Sequence, residues 1–313
     1  MKTKKRSKWT RAYKAALTVF TGFVLLDTFV IPHSYSAVTT DGSAASSASA
    51  AANAAGSSSQ TASAVAKTTD TAYSDNNISI TITTYRENNT NIHVADVTLK
   101  SADFLQTALA NNTYGRNITA TTSTIADEAN AILAINGDYY GAQQSGYVIR
   151  NGVLYRATPS DDNQEDLVIY KDGSFDIVTE GSVTAQQLLD SGAEQVLSFG
   201  PGLVENGKTV VSKGEEVDKA KTSNPRTAIG QIGSLHYVFV VSDGRTSESE
   251  GLSLSELAEF MQKLGCKTAY NLDGGGSSTM VFNGTVMNQP TTNGNTISER
   301  KVSDIVSIGY QAS

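Results

Sequence analysis

The sequence predicts an α+β fold in a single catalytic domain, with a mixed or largely antiparallel sheet and a few packed helices. Many short segments alternate apolar and polar residues in the manner of strands, as at residues 78–82. Several segments are joined by tight turns such as Asn283-Gly284, which indicates hairpins. Three or four other segments begin with helix-capping residues, for example the Ser253…Glu256 capping box.

The first half of the domain is predicted to contain strands 78–82 and 92–99, helices 101–110 and 122–131, a strand at 131–135, and hairpins around 147–155 and 167–178. Alternating or continuously apolar residues indicate the strands, and turn residues at 88–91 join the first two. Ser123 or Thr124 is the expected N-cap of the second helix.

The second half is predicted to contain a helix from Thr184 to Gly192, strands at 196–199, 226–230, 235–241, 267–270 and 280–282, a helix at 253–264, and a last strand at 302–310. Capping boxes start both helices, and Gly192 and Gly265 are suited to end them. Residues 235–241 are apolar on both faces, so a central strand is expected there.

The N-terminal region differs in composition from the rest of the chain. Residues 1–37 combine seven Lys or Arg with an apolar run from Ala15 to Pro32, which predicts a signal peptide or an uncleaved signal anchor. Residues 38–75 are rich in Ala, Ser and Thr and are predicted to be a disordered tether. Residues 76–313 then form the domain, placed outside the cytoplasm, either secreted or anchored by one N-terminal segment.

Charge and cysteine content narrow the function classes. The net charge is -7, and residues 1–37 carry seven bases and one acid, or +6, so the remainder carries -13. An acidic body argues against nucleic acid as a partner, and confines any membrane contact to the N-terminal segment if it is uncleaved. Cys266 is the single cysteine, so no internal disulfide forms, as is common in bacterial surface proteins.

The stretch from Asn271 to Thr279 contains three consecutive glycines between two apolar segments. Glycines there cost conformational entropy, so a functional requirement is expected. We interpret Gly274, Gly275 and Gly276 as a loop whose backbone N–H groups form a concave anion site. A flexible turn between strands is the alternative interpretation.

Charged residues occur where apolar segments end. Asp138, Asp243 and Asp273 each follow an apolar segment, and Arg226 and Arg245 occupy similar positions. Paired carboxylates suit cleavage of a glycosidic bond, whereas arginines and backbone N–H groups suit a phosphate. Together they predict cleavage of a sugar attached through phosphate.

Other chemistries are less well supported. His93 and His236 lie in predicted strands, and no zinc-binding spacing of His and Cys is present. Ser277 as a nucleophile would lack a Gly-x-Ser-x-Gly elbow. No cofactor is required by the predicted chemistry, although the aspartates leave Ca²⁺ or Mg²⁺ as an open alternative.

Four segments in this order resemble the signature blocks of the phosphodiester glycosidase family, over roughly residues 95–311: Asn136-Gly137-Asp138-Tyr139-Tyr140, residues 225–230, Asp243-Gly244-Arg245, and residues 271–278. The resemblance implies hydrolysis of the bond between an anomeric carbon and a phosphate. The active-site candidates that it implies are Asp138, Asp243 and Asp273 as catalytic residues, without assigning which acts as acid and which as nucleophile, with Asn136, Arg226, Arg245, Asn271, Gly274, Gly275, Gly276, Ser277 and Ser278 as ligands of the substrate or its phosphate.

The leading hypothesis is therefore an extracytoplasmic phosphodiester glycosidase. Without the disulfides of the family's animal members, a cell-wall or exopolysaccharide glycan with sugar-phosphate links is the expected substrate. The first alternative is a non-catalytic domain that binds surface polysaccharide. The second is a structural surface protein in which the tether matters most.

Overall fold

A computed structural model describes residues 66–310, apart from 161–162 and 217–222, and also the two-residue strand His33–Ser34. The described part of the chain is built mostly from antiparallel strands in sheets of nine, five and five strands. Its α-helices are α1 (Thr122–Glu128), α2 (Ala185–Asp190) and α3 (Leu254–Lys263). The prediction of an α+β fold is wrong, because these short helices only cover a fold that is otherwise β.

The strands in chain order are β1 (His33–Ser34), β2 (Lys67–Thr68), β3 (Ala72–Ser74), β4 (Ile78–Glu87), β5 (Thr90–Leu99), β6 (Leu105–Leu109), β7 (Gly115–Arg116), β8 (Ala131–Asn136), β9 (Val148–Arg150), β10 (Val153–Arg156), β11 (Glu165–Tyr170), β12 (Phe175–Thr179), β13 (Ala193–Ser198), β14 (Gly202–Glu205), β15 (Lys208–Thr209), β16 (Arg226–Gly233), β17 (His236–Ser242), β18 (Thr268–Leu272), β19 (Met280–Phe282), β20 (Thr285–Val286) and β21 (Asp304–Gly309). Single 3₁₀ turns occur at Ala102–Phe104, Ala110–Asn112, Tyr140–Ala142 and Gly275–Ser277.

The largest sheet has the order β15-β14-β18-β16-β17-β5-β4-β3-β2, and β17 lies at its centre as predicted. The β8 sheet has the order β20-β19-β8-β21-β6, and the β11 sheet has the order β10-β9-β13-β11-β12. Strands β1 and β7 form a separate pair. The predicted hairpins β4–β5 and β19–β20 are confirmed by their registers, for example Phe282 opposite Thr285.

The three larger sheets share one hydrophobic core, and a helix covers the other face of each. The shared core includes Phe239 from the nine-stranded sheet, Leu133 from the β8 sheet and Leu167 from the β11 sheet. The clusters on the outer faces contain residues of α3, α1 and α2, respectively. Burial of apolar area on both faces of each sheet therefore stabilises the whole arrangement.

The capping boxes predicted for α2 and α3 are both confirmed, with Thr184 and Ser253 as the N-caps. Helix α1 is capped by Thr121, two or three positions earlier than predicted. The predicted helix at 101–110 is wrong, because residues Leu105–Leu109 form strand β6 and pair with β21.

The nine-stranded sheet begins earlier in the chain than predicted. Strands β2 and β3 pair with each other and with β4, so residues 67–74 of the predicted tether belong to the nine-stranded sheet. The predicted signal segment 1–37, apart from β1, and residues 38–65 of the predicted tether lie outside the described residues. Among the described residues, no helix is both long and apolar enough to cross a membrane.

Candidate active site

The predicted site residues converge where the ends of two sheets meet. In the nine-stranded sheet, β18 ends next to the start of β16, with Leu272 opposite Thr227, and β16 starts beside the end of β17, with Arg226 opposite Ser242. In the β8 sheet, Asn136 ends β8 opposite Ile305 of β21. Since neighbouring strands lie about 4.8 Å apart, residues from distant parts of the sequence come together at this edge.

Asn136 connects the two sheets. Its Nδ2 donates a hydrogen bond of 2.6 Å to the carbonyl oxygen of Asp273, and its Oδ1 accepts one of 2.8 Å from Thr227 Oγ1. The backbone N–H of Thr279 also donates to this Oδ1 at 3.2 Å. Asn136 is fully buried. It therefore positions the backbone of Asp273 rather than facing a ligand.

Asp273 forms the centre of a polar cluster with Ser277 and Arg300. Ser277 Oγ donates to Asp273 Oδ2 at 2.6 Å and accepts from Arg300 Nε at 2.8 Å. Arg300 Nη2 donates to the same carboxylate oxygen at 3.0 Å. The Asp273 side chain exposes 15% of its surface and that of Arg300 exposes 44%, so both reach solvent. Burial raises the pKa of Asp273 above its ordinary value, an effect that the charge of Arg300 opposes.

Asp273, Ser277 and Arg300 line one side of a cavity of about 370 Å³. Tyr139 and Lys301 line the same cavity. The Tyr139 ring packs edge-to-face against Phe199 at a centroid distance of 5.1 Å and keeps 36% of its surface exposed. The cavity thus combines one carboxylate, two cations and an aromatic ring.

The glycine-rich loop packs closely against three neighbouring segments. A Cβ at Gly276 would lie 2.4 Å from Thr292 Oγ1, and one at Gly275, where φ is +61°, would lie 2.8 Å from Arg245 Nη2. A Cβ at Gly274 would lie 3.0 Å from the carbonyl oxygen of Pro225. Close packing therefore requires the glycines at these positions.

Part of the predicted concave anion site is already occupied by hydrogen bonds within the protein. The N–H of Gly275 donates to the carbonyl oxygen of Pro225 at 2.8 Å, and those of Ser277 and Ser278 donate to oxygens within the loop. The prediction that the glycine N–H groups face a ligand is therefore wrong for Gly275. The hydroxyl of Ser278 is fully buried without a hydrogen-bond partner, and Asn271 Nδ2 donates to the carbonyl oxygen of Gly200 at 2.7 Å.

Arg245 and Arg226 flank the loop but are held by protein groups. Arg245 Nη2 donates to Asn224 Oδ1 at 2.9 Å and its Nη1 donates to the carbonyl oxygen of Thr292 at 2.6 Å. Arg226 is buried and pairs with Glu216. Burial lowers the pKa of Arg245, and the charges of Arg300 and Arg226 lower it further.

Asp138 lies behind the cavity in a buried ion-pair network. Arg150 Nη2 lies 2.8 Å from Asp138 Oδ2 and 2.7 Å from Asp304 Oδ2, and all three side chains are at least 98% buried. The N–H of Ser198 also donates to Asp138 at 2.9 Å. Both oxygens of Asp138 are engaged, since the N–H of Tyr140 donates to the other. The carboxylate of Asp138 therefore does not line the cavity.

Asp243 is also held internally. The N–H of Gln289 donates to its Oδ1 at 2.7 Å, and His93 Nε2 lies 3.5 Å from its Oδ2. Only 3% of Asp243 is exposed. Of the three predicted acids, Asp273 is the one that lines the cavity.

Sequence reasoning missed four charged residues of this region, one of which is Lys301 in the cavity lining. Arg300 pairs with Asp273, and Arg150 and Asp304 surround Asp138. The Glu299-Arg300 pair ahead of the last strand was the available signal, since it places charges at a strand start. Arg150 gave no such signal, because it follows an apolar strand and precedes an ordinary Asn-Gly turn. Among the described residues, no group of three or more His, Cys, Asp or Glu is arranged to hold a metal ion.

Comparison with known families settles the relationship. The model of the family described as phosphodiester glycosidase matches residues 129–308, which is more than half of the chain. This chain belongs to the phosphodiester glycosidase family. The matched range contains the cavity residues from Tyr139 to Lys301.

Several relatives are similar to the chain in sequence or fold. The N-acetylglucosamine-1-phosphodiester alpha-N-acetylglucosaminidase of Homo sapiens is 32% identical over 55% of this chain and 36% of its own length. The uncharacterized SPbeta prophage-derived protein YomE of Bacillus subtilis is 28% identical over 63% of this chain and 31% of its own length. The chain thus spans about a third of the length of these curated relatives.

A solved structure has the same fold. It is the zebrafish N-acetylglucosamine-1-phosphodiester alpha-N-acetylglucosaminidase catalytic domain, auto-inhibited by its pro-peptide. The TM-score is 0.60 at 21% identity, with 75% of this chain and 83% of that chain covered.

Proposed function

We propose that this protein is an extracytoplasmic hydrolase that cleaves the glycosyl-phosphate bond of a sugar-1-phosphodiester. The observation that carries the proposal is the cavity in which the Asp273 carboxylate lies beside Arg300 and Lys301. One carboxylate next to two cations is the set of charges needed to act at an anomeric carbon and to hold a phosphate. Membership of the family, and the named activity of the human relative, support the same reaction class.

Arg300 and Lys301 are proposed to bind the phosphate. The hydrogen bonds of Arg300 to Asp273 and Ser277 use Nε and Nη2. Within the described residues its Nη1 makes no such bond, so this nitrogen is the one available to a phosphate oxygen. A hydrogen bond from a guanidinium group to a phosphate is charge-assisted and therefore stronger than one between neutral groups.

Asp273 is proposed to act in its ionised form on the anomeric carbon or on the attacking water. In the reaction the bond between the anomeric carbon and the phosphate oxygen breaks, and a water oxygen becomes bonded to that carbon. The products are a free sugar and a phosphomonoester. A phosphate bound by cations leaves readily, so a second carboxylate acting as an acid is less necessary than for an alcohol leaving group.

The substrate is proposed to be a cell-wall or exopolysaccharide glycan with sugar-phosphate links. The basic and apolar segment 1–37 supports a location outside the cytoplasm, by secretion or by an N-terminal anchor. The net charge of -13 beyond residue 37 argues against a nucleic acid as a partner.

A second candidate function is a non-catalytic domain that binds surface polysaccharide. The observation that favours it is the internal engagement of Asp138 and Asp243, which leaves one carboxylate in the cavity instead of the usual glycosidase pair. This candidate predicts saturable binding without any product.

A panel of sugar-1-phosphodiesters, with phosphomonoesters as controls, separates the two functions. We expect release of free sugar by the wild-type protein and a loss of at least about 10³-fold in Asp273→Asn, since a group that acts in the transition state is removed. Asp176→Asn, which changes an exposed aspartate of β12, is the matched control and should keep full activity. Wild-type binding without product would instead support the polysaccharide-binding domain.

A further inference from the structure

A second cavity of about 360 Å³ lies next to the proposed active site and is lined mainly by tyrosines and arginines. Three of its lining residues, Tyr114, Tyr140 and Tyr155, form a stack. The ring centroids of Tyr114 and Tyr140 are 5.1 Å apart with an interplanar angle of 14°, and those of Tyr114 and Tyr155 are 4.8 Å apart at 29°. Tyr114 belongs to both pairs and is therefore the middle ring.

Tyr155 is the accessible end of this stack. The guanidinium carbon of Arg150 lies 5.6 Å from the Tyr140 ring centroid, and Tyr140 is only 2% exposed. Tyr114 is 7% exposed, whereas Tyr155 is half-buried. An aromatic ring of this kind offers a flat apolar surface to the C–H face of a sugar ring, while its hydroxyl group stays available for hydrogen bonds.

The polar part of the lining is cationic. Arg116 and Arg156 line the cavity together with the amides of Gln143 and Gln144, and none of the described residues that line it carries a carboxylate. Arg156 is fixed in place, because its Nε donates to the carbonyl oxygen of Gly146 at 2.6 Å and its Nη1 donates to that of Tyr140 at 3.0 Å. Two guanidinium groups and two amides match the oxygens of a sugar that carries a carboxylate or a phosphate.

The two cavities share their dividing wall. Residues 114–116 line the tyrosine cavity, whereas Asn117 lines the active-site cavity. In the same way Tyr140 and Gln143 face the tyrosine cavity, while Tyr139 and Ala142 face the other. The N–H of Asn117 donates to the carbonyl oxygen of Gly141 at 3.0 Å, so the two wall segments are directly bonded.

We infer that the tyrosine cavity is a second glycan subsite, which binds an anionic sugar of the same polymer whose glycosyl-phosphate link lies at Asp273. This inference rests on the proposed function for the identity of the polymer. The tyrosine stack holds the sugar ring, and the arginines hold its carboxylate or phosphate. The subsite thereby selects longer, charged chains over single glycosyl phosphates.

The test measures the dissociation constants of the full-length protein for glycosyl-phosphate fragments with one, two and three sugars. Uronic-acid and neutral oligosaccharides of the same lengths form the other two arms. We expect lengthening from one sugar to two to improve the affinity about tenfold for anionic chains, equivalent to about 1.4 kcal/mol, because an arginine then adds a charge-assisted hydrogen bond to the second sugar. A gain in affinity for the glycosyl-phosphate series identifies a phosphate as the group that the subsite binds, and a gain for the uronic-acid series identifies a carboxylate.

In Tyr155→Ala, and separately in Arg116→Gln, the affinity should no longer increase when the chain is lengthened from one sugar to two. Tyr85→Ala changes an exposed tyrosine of β4 and should keep the gain. A wild-type protein with no gain for either anionic series, or with an equal gain for neutral chains, overturns the inference, even if it releases sugar. Conversely, a gain that depends on Tyr155 without any release of sugar upholds the subsite and refutes the proposed hydrolase.

Discussion

Asp273 and its two partners determine the chemistry of the cavity at the scale of single residues. The carboxylate accepts hydrogen bonds from Ser277 and Arg300, and its backbone is held by Asn136. Burial favours the protonated form of Asp273, and Arg300 favours the ionised form. The balance between these two effects sets the pH range in which an ionised Asp273 is available.

The pH dependence of sugar release tests the role of Arg300. If ionised Asp273 is required, activity is present above its pKa and is lost as the pH falls through it. Since the pKa of Asp273 is raised, the acidic limb should lie above the ordinary aspartate value of about 3.9. Arg300→Gln removes the charge that opposes this shift, so the limb should move to higher pH and KM should rise.

The matched control for this experiment is Arg86→Gln, which removes an exposed arginine of β4 that bonds to Asn91 and Glu248. Its pH profile should coincide with that of the wild type. An Arg300→Gln limb that moves to lower pH would contradict the assignment of Asp273 as the titrating group.

Asn136 is expected to act as a positioning residue. Asn136→Ala leaves the hydroxyl of Thr227 and the N–H of Thr279 without their acceptor, and frees the carbonyl oxygen of Asp273. Each buried polar group that loses its partner costs about 1–3 kcal/mol, so urea denaturation should show a clear loss of stability. Steady-state kinetics should show a larger fall in kcat than rise in KM, because Asp273 is misplaced while the phosphate ligands remain.

A fall confined to KM would contradict this role, since it would place Asn136 in direct contact with the substrate. Asn136→Asp is the conservative comparison. In its ionised form it retains an acceptor for Thr227 but cannot donate to Asp273 and adds a buried charge, so it should be less stable than the wild type.

The elements show which parts of the fold are readable from local sequence. The hairpin β4–β5 and the capping boxes of α2 and α3 were predictable, because partner residues are close together in the chain. Strand β6 was not, since Leu105–Leu109 pairs with β21, about two hundred residues later. Such long-range pairing overrides the local pattern, and it also explains why the fold was assigned too much helix.

The glycine-rich loop gives a prediction at this scale. Gly276→Ala places a Cβ 2.4 Å from Thr292 Oγ1 and 3.1 Å from its Cα, so either the loop or the segment after β20 must shift. We expect a loss of about 1–3 kcal/mol in the free energy of unfolding, as for other overpacked sites, together with reduced sugar release. Denaturant titration measures the first effect and product assays the second.

Gly233→Ala provides the control, because a Cβ there meets no atom within 4 Å and φ is not in the left-handed region. This variant should be as stable as the wild type or slightly more stable. Equal stability of Gly276→Ala and wild type would show that the loop is loosely packed and that its glycines serve another purpose.

At the scale of the whole molecule, the site depends on contacts between sheets that the sequence does not reveal. The strand ends bearing Asp138, Asp243 and Asp273 were recognisable, and they do meet at one edge. The different roles of the three aspartates were not recognisable from the sequence. Arg150 of the β11 sheet pairs with Asp138, and the N–H of Gln289 donates a hydrogen bond to Asp243. Only the packed sheets bring these partners together, so local sequence could identify the candidates without ranking them.

Asp166 of β11 and Glu180, which directly follows β12, form a second pair of buried carboxyl groups. Asp166 is fully buried beside Glu180, which itself accepts a hydrogen bond of 2.6 Å from the N–H of Tyr147. Burial and the charge of Glu180 raise the pKa of Asp166 to about 10. The folded protein therefore keeps a proton on Asp166 at neutral pH, whereas the unfolded chain releases it above about pH 4.

The stability of the protein should consequently fall as the pH rises between about 4 and 10. The native state binds one more proton than the unfolded state in this window, so the contribution of Asp166 to the free energy of unfolding decreases by up to about 1.4 kcal/mol per pH unit. Asp166→Asn removes this ionisation and keeps the size of the side chain. Urea denaturation at several pH values should therefore show a free energy of unfolding that varies less with pH in the variant. At pH 9 the variant should be more stable, relative to the wild type, than it is at lower pH. Asp172→Asn, at an exposed turn, is the control and should show the same pH dependence of stability as the wild type. A wild-type stability that rises from pH 6 to 9 relative to Asp166→Asn would show that Asp166 is ionised in the folded protein.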